Sequence, residues 1–130
     1  MPERQSGSDM PRFDRCNLSE LVMERGPQHD GQGEIFFRRI AARKDLDGPC
    51  NYIDYAEIPP GCTIGLHHHG LEEEEFFLVL GGEGEMSKDD EVFRVRAGDL
   101  IRNRPGGTHG LSNVGSEVIR LFVIQLSVAR

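Results

Sequence analysis

The chain has 130 residues, enough for one domain with a single modest core. Its 22 acidic residues outnumber 15 basic ones, a formal charge of −7, which excludes nucleic-acid binding by general phosphate attraction and disfavours a basic membrane-surface module. The longest apolar run, residues 76–80, is far too short to span a membrane as a helix, and the N-terminal run lacks the apolar segment of a signal peptide.

Residues 1 to about 14 mix charge, Gly, Ser and Pro without periodicity and read as a loosely ordered tail. Asn17 with Glu20 has the form of a capping box, and Gly26-Pro27 is a stop signal, so a short helix of about two turns is expected between them. From residue 33 the texture changes. Segments 34–41, 51–58, 63–69, 74–80, 83–87, 92–96, 99–103 and 118–128 alternate or are rich in Ile, Val, Phe and Tyr, and read as strands. Turn clusters such as Pro59-Pro60-Gly61, Gly81-Gly82 and Pro105-Gly106-Gly107 separate them. Short strands at this spacing predict an all-β sandwich or barrel. The last strand is apolar on both faces, which fits a sheet covered on each side, one cover being a second subunit.

The three cysteines, Cys16, Cys50 and Cys62, are odd in number and widely spaced, without a Cys-x-x-Cys. That argues against a disulfide framework and against a thiolate zinc site, and each reads as a small buried hydrophobe in a cytoplasmic, reduced protein.

Four of the five histidines fall in two places: His67-His68-His69 at the end of a strand, and His109 after the Pro-Gly-Gly turn. Alternation puts His67 and His69 on one face and His68 on the other. Two imidazoles so placed can share one metal ion. The acidic run 72–75 opens the next strand, and one inward carboxylate from it, with His109, would complete a set of three imidazoles and one carboxylate. Adjacent strand residues face opposite ways, so only one of Glu74 and Glu75 can serve.

The stretch Gly61-x5-His67-x-His69-x4-Glu74-x6-Gly81 resembles the first signature motif of the cupin superfamily, and Gly98-Asp99 through Pro105, Gly106, His109 and Asn113 resembles the second. The resemblance implies a small single-domain cupin, a double-stranded β-helix or jelly-roll barrel with a metal site inside. It also implies domain limits: an N-terminal tail and short helix over 1–30, and the barrel over 31–130. In that family two histidines and a glutamate of the first motif and a histidine of the second are metal ligands, which here become His67, His69, a glutamate and His109. Strict spacing selects Glu74. The run Val79-Leu80-Gly81-Gly82-Glu83-Gly84 instead matches the family's frequent turn and selects Glu75, which we prefer because a loop absorbs a residue more readily than a turn slides. The second-motif proline stands one place late, at Pro105, while Gly106, His109 and Asn113 keep register.

Such a set suits iron, manganese, nickel, zinc, cobalt or copper and leaves positions open on a six-coordinate ion. A small molecule with two adjacent oxygens would chelate there. The expected function is therefore a metal-dependent dioxygenase or isomerase/lyase acting on an oxygenated metabolite, with Glu75 as its catalytic base; the alternative is a non-catalytic small-molecule-binding or sensing module. Cupins of this kind are often homodimers. Of the remaining residues, Asn113 is expected to tie a loop, and His29 to be solvated. Arg38, Arg39, Tyr52, Arg102 and Asn103 are of types that meet anions, but alternation alone does not assign their faces.

Overall fold

A computed structural model describes residues 13–128. Ten strands run in chain order: β1 (Glu24–Gly26), β2 (Ile35–Ala42), β3 (Cys50–Ile58), β4 (Thr63–His68), β5 (Glu73–Gly81), β6 (Glu83–Lys88), β7 (Glu91–Arg96), β8 (Leu100–Asn103), β9 (Thr108–Ser112) and β10 (Ile119–Ser127). They form a six-stranded sheet, β1-β2-β3-β10-β5-β8, and a four-stranded sheet, β4-β9-β6-β7. Every strand pair is antiparallel.

Each strand expected from the sequence is present. Two further strands, β1 and β9, were not expected. The expected N-terminal helix is absent. Asn17 does cap, its side chain accepting from the Ser19 N–H at 2.9 Å, but only a 3-10 turn over Leu18–Glu20 follows. Leu21 is already extended, at ψ 141°. No residue of the turn is buried. A helix this short is marginal without an apolar face to pack, and the chain instead adds β1 to the edge of β2. The three cysteines are free thiols, as expected, but they are not fully buried: Cys16 is exposed, and Cys50 and Cys62 are half-buried, Cys62 packing against the core.

The interior between the sheets changes character along the strands. Ile35, Ala56, Ile58, Val79, Ile119 and Leu121 meet Ile64, Met86, Val95 and Leu111 in one apolar cluster. Burying such side chains supplies the main driving force for closing the two sheets. Farther along β10 the inward residues become Val123 and then Gln125, and the neighbours in register change with them. Gln125 stands between Tyr52 on β3 and Glu75 on β5, and Glu75 stands opposite Asn103 on β8. One row across four strands is thus polar and faces the interior.

Asn113 ties the loop before β10 as expected, its amide donating to the Ile58 and Glu117 carbonyls at 2.8 and 2.7 Å. At Gly82, between β5 and β6, φ is +81° and an added Cβ would stand 2.5 Å from the Val118 carbonyl oxygen, so that turn admits only glycine. Among the described residues no helix is long and apolar enough to cross a membrane.

Candidate metal centre

The site begins with a register shift. Simple alternation along β4 would turn Ile64 and His67 to opposite faces. A bulge lies between them: Ile64 pairs with Leu111 and His67 with His109, while Leu66 is left 63% exposed. The bulge lets Ile64 pack in the core and His67 still face inward. His68 pairs with Thr108 and is exposed. His69 follows the strand end, and its N–H is fixed by the Gly107 carbonyl at 3.0 Å.

His67, His69, Glu75 and His109 each offer one donor atom, and these atoms lie within 4.8 Å of one another. Donors on opposite sides of an ion with bonds of about 2.1 Å stand roughly 4.2 Å apart, so the set needs only a small contraction to hold one. His67 donates through Nδ1 to the Gly65 carbonyl at 2.7 Å, which leaves Nε2 without a proton and turned to the cluster. Glu75 is 4% exposed. Its Oε1 is 3.0 Å from His109 Nε2 and 3.4 Å from His69 Nε2, and its Oε2 accepts from the Tyr52 hydroxyl. Gln125 donates to Tyr52 at 2.8 Å and completes the support. Glu74 is left out. It lies on the other face of β5, where its carboxylate accepts from Arg102 Nε at 2.6 Å.

The protonation states follow from this packing. Burial pushes His67 down to about 4, so its ring is neutral at ordinary pH. Burial alone would raise Glu75, but His109, His69 and Tyr52 around it outweigh that and hold the carboxyl well below its usual range. The Glu75 carboxylate in turn raises His69. Burial and the same negative charge raise Tyr52, which stays a neutral phenol. A transition ion takes such groups as neutral imidazoles and an ionised carboxylate, so a proton held by His69 leaves as the ion binds.

His69 Nε2 is buried and makes no hydrogen bond, which costs about 1–3 kcal/mol when left so. An ion bonded to that nitrogen removes the cost, and the residues therefore fit a metal. The other buried side-chain atoms in this condition, among the described residues, are the Nδ2 and Oδ1 of Asn103.

His29 is exposed, as expected, but one face of its ring is covered. Its ring stacks on His67 with centroids 3.5 Å apart and planes 7° from parallel. The backbone is built for this contact. His29 and Asp30 have φ of 52° and 56°, and Gly31 and Gly65 lie so close to the facing chain that a Cβ on Gly65 would sit 1.9 Å from the His29 carbonyl oxygen. The sequence signal was the Gly-containing loop around His29 together with Gly65, but nothing local says that the two segments touch. Arg39 is half-exposed, but its guanidinium reaches the buried Asp54. It bonds Asp54 through two nitrogens at 3.0 and 3.1 Å, and its guanidinium lies 4.2 Å from the Tyr52 ring centre. Arg38 pairs with Tyr55, one place out of phase with Arg39.

A family model for the cupin domain matches residues 54–125, over half of the chain. The chain belongs to the cupin family. A cupin-fold crystal structure from Thermotoga maritima, described as a predicted oxalate decarboxylase, superposes with a TM-score of 0.81 at 24% identity, covering 86% of this chain and 97% of that one. A cupin 2 conserved barrel domain protein from Salinispora arenicola superposes with a TM-score of 0.64 at 18% identity, over 91% and 90% of the two chains. In sequence, the chain is 25% identical to a Thermotoga maritima protein named oxalate-binding protein over 107 residues, 82% of this chain and 88% of that protein. In this cupin the matched segment contains all four clustered side chains together with Gln125.

Proposed function

We propose that this cupin holds one divalent transition ion through His67, His69, Glu75 and His109 and acts on a small oxygenated metabolite bound through two adjacent oxygens. The convergence of the four donors is the observation that carries this reading. Iron, manganese, nickel, cobalt, copper and zinc all suit nitrogen and oxygen donors of this kind. When bound, the ion supplies Lewis acidity and, if redox-active, access to dioxygen chemistry. The chain's own residues supply the rest. Glu75, ionised and supported from both sides, is the group to take up a substrate proton, Tyr52 and Gln125 fix its direction, and Phe77, edge-on to His109 at 5.2 Å, keeps water from that side of the cluster. The reaction class is a dioxygenase or an isomerase/lyase. Oxalate itself carries two adjacent oxygens, so the relative named for binding it supports this ligand type and also favours a second reading, a barrel that binds a chelating acid without turnover.

The barrel domain spans 31–130, with 1–30 as an addition to it. The outer face of the six-stranded sheet, where Ile53, Phe76, Leu78, Phe122 and Ile124 are half-buried and Leu100 is 67% exposed, is the surface through which two copies pair. A cytoplasmic location fits the free thiols. The test is metal-loaded protein offered a panel of hydroxy acids, hydroxy-ketones and catechols, with oxygen uptake and product formation followed. Turnover that requires the metal supports the enzyme. Metal near one equivalent with ligand binding and no turnover supports the binding module, and neither metal nor ligand binding overturns both.

A further inference from the structure

The row Tyr52–Gln125–Glu75–Asn103 crosses four strands at the level of the histidines. Its first three members satisfy one another through the Tyr52 hydroxyl, the Gln125 amide and the Glu75 carboxylate. The fourth does not join them. Asn103 is 3% exposed, directly opposite Glu75, and neither its amide nitrogen nor its amide oxygen has a partner. The neighbouring Ile101 packs in the apolar core, so alternation along β8 turns Asn103 to the same interior. An aliphatic side chain would fill such a place without leaving polar atoms unmatched, so a buried amide here calls for a polar partner.

We infer that Asn103 reads the ligand of the metal centre and selects a small monoanionic acid with a hydroxyl beside its carboxylate, that is, an α-hydroxy acid. The inference rests on the metal-centre reading above. Whichever way the amide is turned, it presents one donor and one acceptor side by side. A carboxylate oxygen takes the donor and a hydroxyl serves the acceptor. A dicarboxylate dianion offers acceptors only and would set one of them against the Asn103 oxygen. Charge points the same way. Arg39 cancels Asp54, Tyr52 is a neutral phenol bonded to Glu75, and a divalent ion with Glu75 leaves a single positive charge. One negative charge neutralises that interior, and two leave an excess away from water.

Full-length protein loaded with manganese(II) is titrated calorimetrically with glycolate, with methoxyacetate, in which the hydroxyl is methylated, and with oxalate. Metal content is measured for every sample. The wild-type protein is expected to bind glycolate at least about tenfold more tightly than methoxyacetate, and more tightly than oxalate. In Asn103→Leu, and in Asn103→Ser as a smaller polar replacement, the gap between glycolate and methoxyacetate shrinks to within about twofold while manganese content stays at the wild-type level. Equal wild-type affinity for the two acids overturns the inference, as does a gap unchanged in both variants, the result if Asn103 only holds a buried water. Tighter binding of oxalate overturns the choice of ligand. Protein that retains no manganese overturns this inference together with the metal-centre reading, whereas retained manganese without discrimination overturns this inference alone.

Discussion

His109 holds one oxygen of Glu75 and Tyr52 holds the other, so the carboxylate is fixed from both sides within the protein itself. Replacing it with an amide keeps the shape and removes the charge that balances the ion. Glu75→Gln is expected to weaken manganese or zinc binding by more than the roughly 10- to 100-fold lost with an outer-shell partner, measured by competition with a chelator. Wild-type affinity in that variant contradicts the assignment. His67 makes a different prediction. Its folded value, about 4, lies below its ordinary 6.5, so between those pH values the unfolded chain takes up a proton that the folded chain refuses. The stabilising effect is complete above pH 6.5 and is lost as pH falls towards 4. His69, which is raised, has the opposite sign: its contribution is present below pH 6.5 and is lost as pH rises through its folded value. Metal-free His67→Asn should therefore show a shallower fall in melting temperature than wild type between pH 6.5 and 4, and equal slopes count against the burial of that ring. His29 locks His67 from behind by stacking. His29→Ala is expected to speed metal loss to a chelator by about tenfold, and His29→Phe, which keeps a flat ring, to restore most of the difference. Equal rates in all three proteins exclude a positioning role.

The elements explain which parts of this were legible beforehand. The long strands β2, β3, β5 and β10 announce themselves through alternation and β-branched or aromatic residues. β9 does not. Its five residues, Thr108 to Ser112, hold a glycine and a single aliphatic side chain, and it is a strand because β4 and β6 pair with it on either side. The choice between Glu74 and Glu75 rested on the Gly81-Gly82 turn; in the structure Glu75 is the inward one, while a register shift at Leu80 separates that turn from the rest of β5. The bulge in β4 left no such trace, since it depends on how Gly65 meets the segment around His29. The same dependence makes it testable. Gly65→Ala forces a Cβ into the His29 carbonyl and should cost about 1–3 kcal/mol of stability in a denaturant titration, with faster metal loss besides. A variant as stable as wild type would show that the two segments are not pressed together. The N-terminal helix did not form although its cap is sound: the turn after Asn17 buries none of its residues, and the chain is already extended at Leu21.

On the scale of the whole molecule, two sheets enclose an interior that is apolar at one end and polar at the other, and the four clustered side chains stand where one gives way to the other. The fold class and the histidine-rich motif were readable because both are patterns along the chain. The placements of Asn103 opposite Glu75 and of His29 on His67 were not, because each depends on a distant segment. The apolar outer face of the six-stranded sheet should make the protein a dimer in sedimentation, with Phe122→Glu and Ile124→Glu together giving a folded monomer; a monomeric wild type would leave that face without a partner of its own kind. The central claim is the convergence of four donors on one ion. Crystals of manganese- or zinc-loaded protein, measured at the absorption edge of the metal, should show one anomalous peak per chain bonded to His67, His69, Glu75 and His109. A fully loaded protein whose peak lies elsewhere, or whose His109 turns away from the ion, would contradict it.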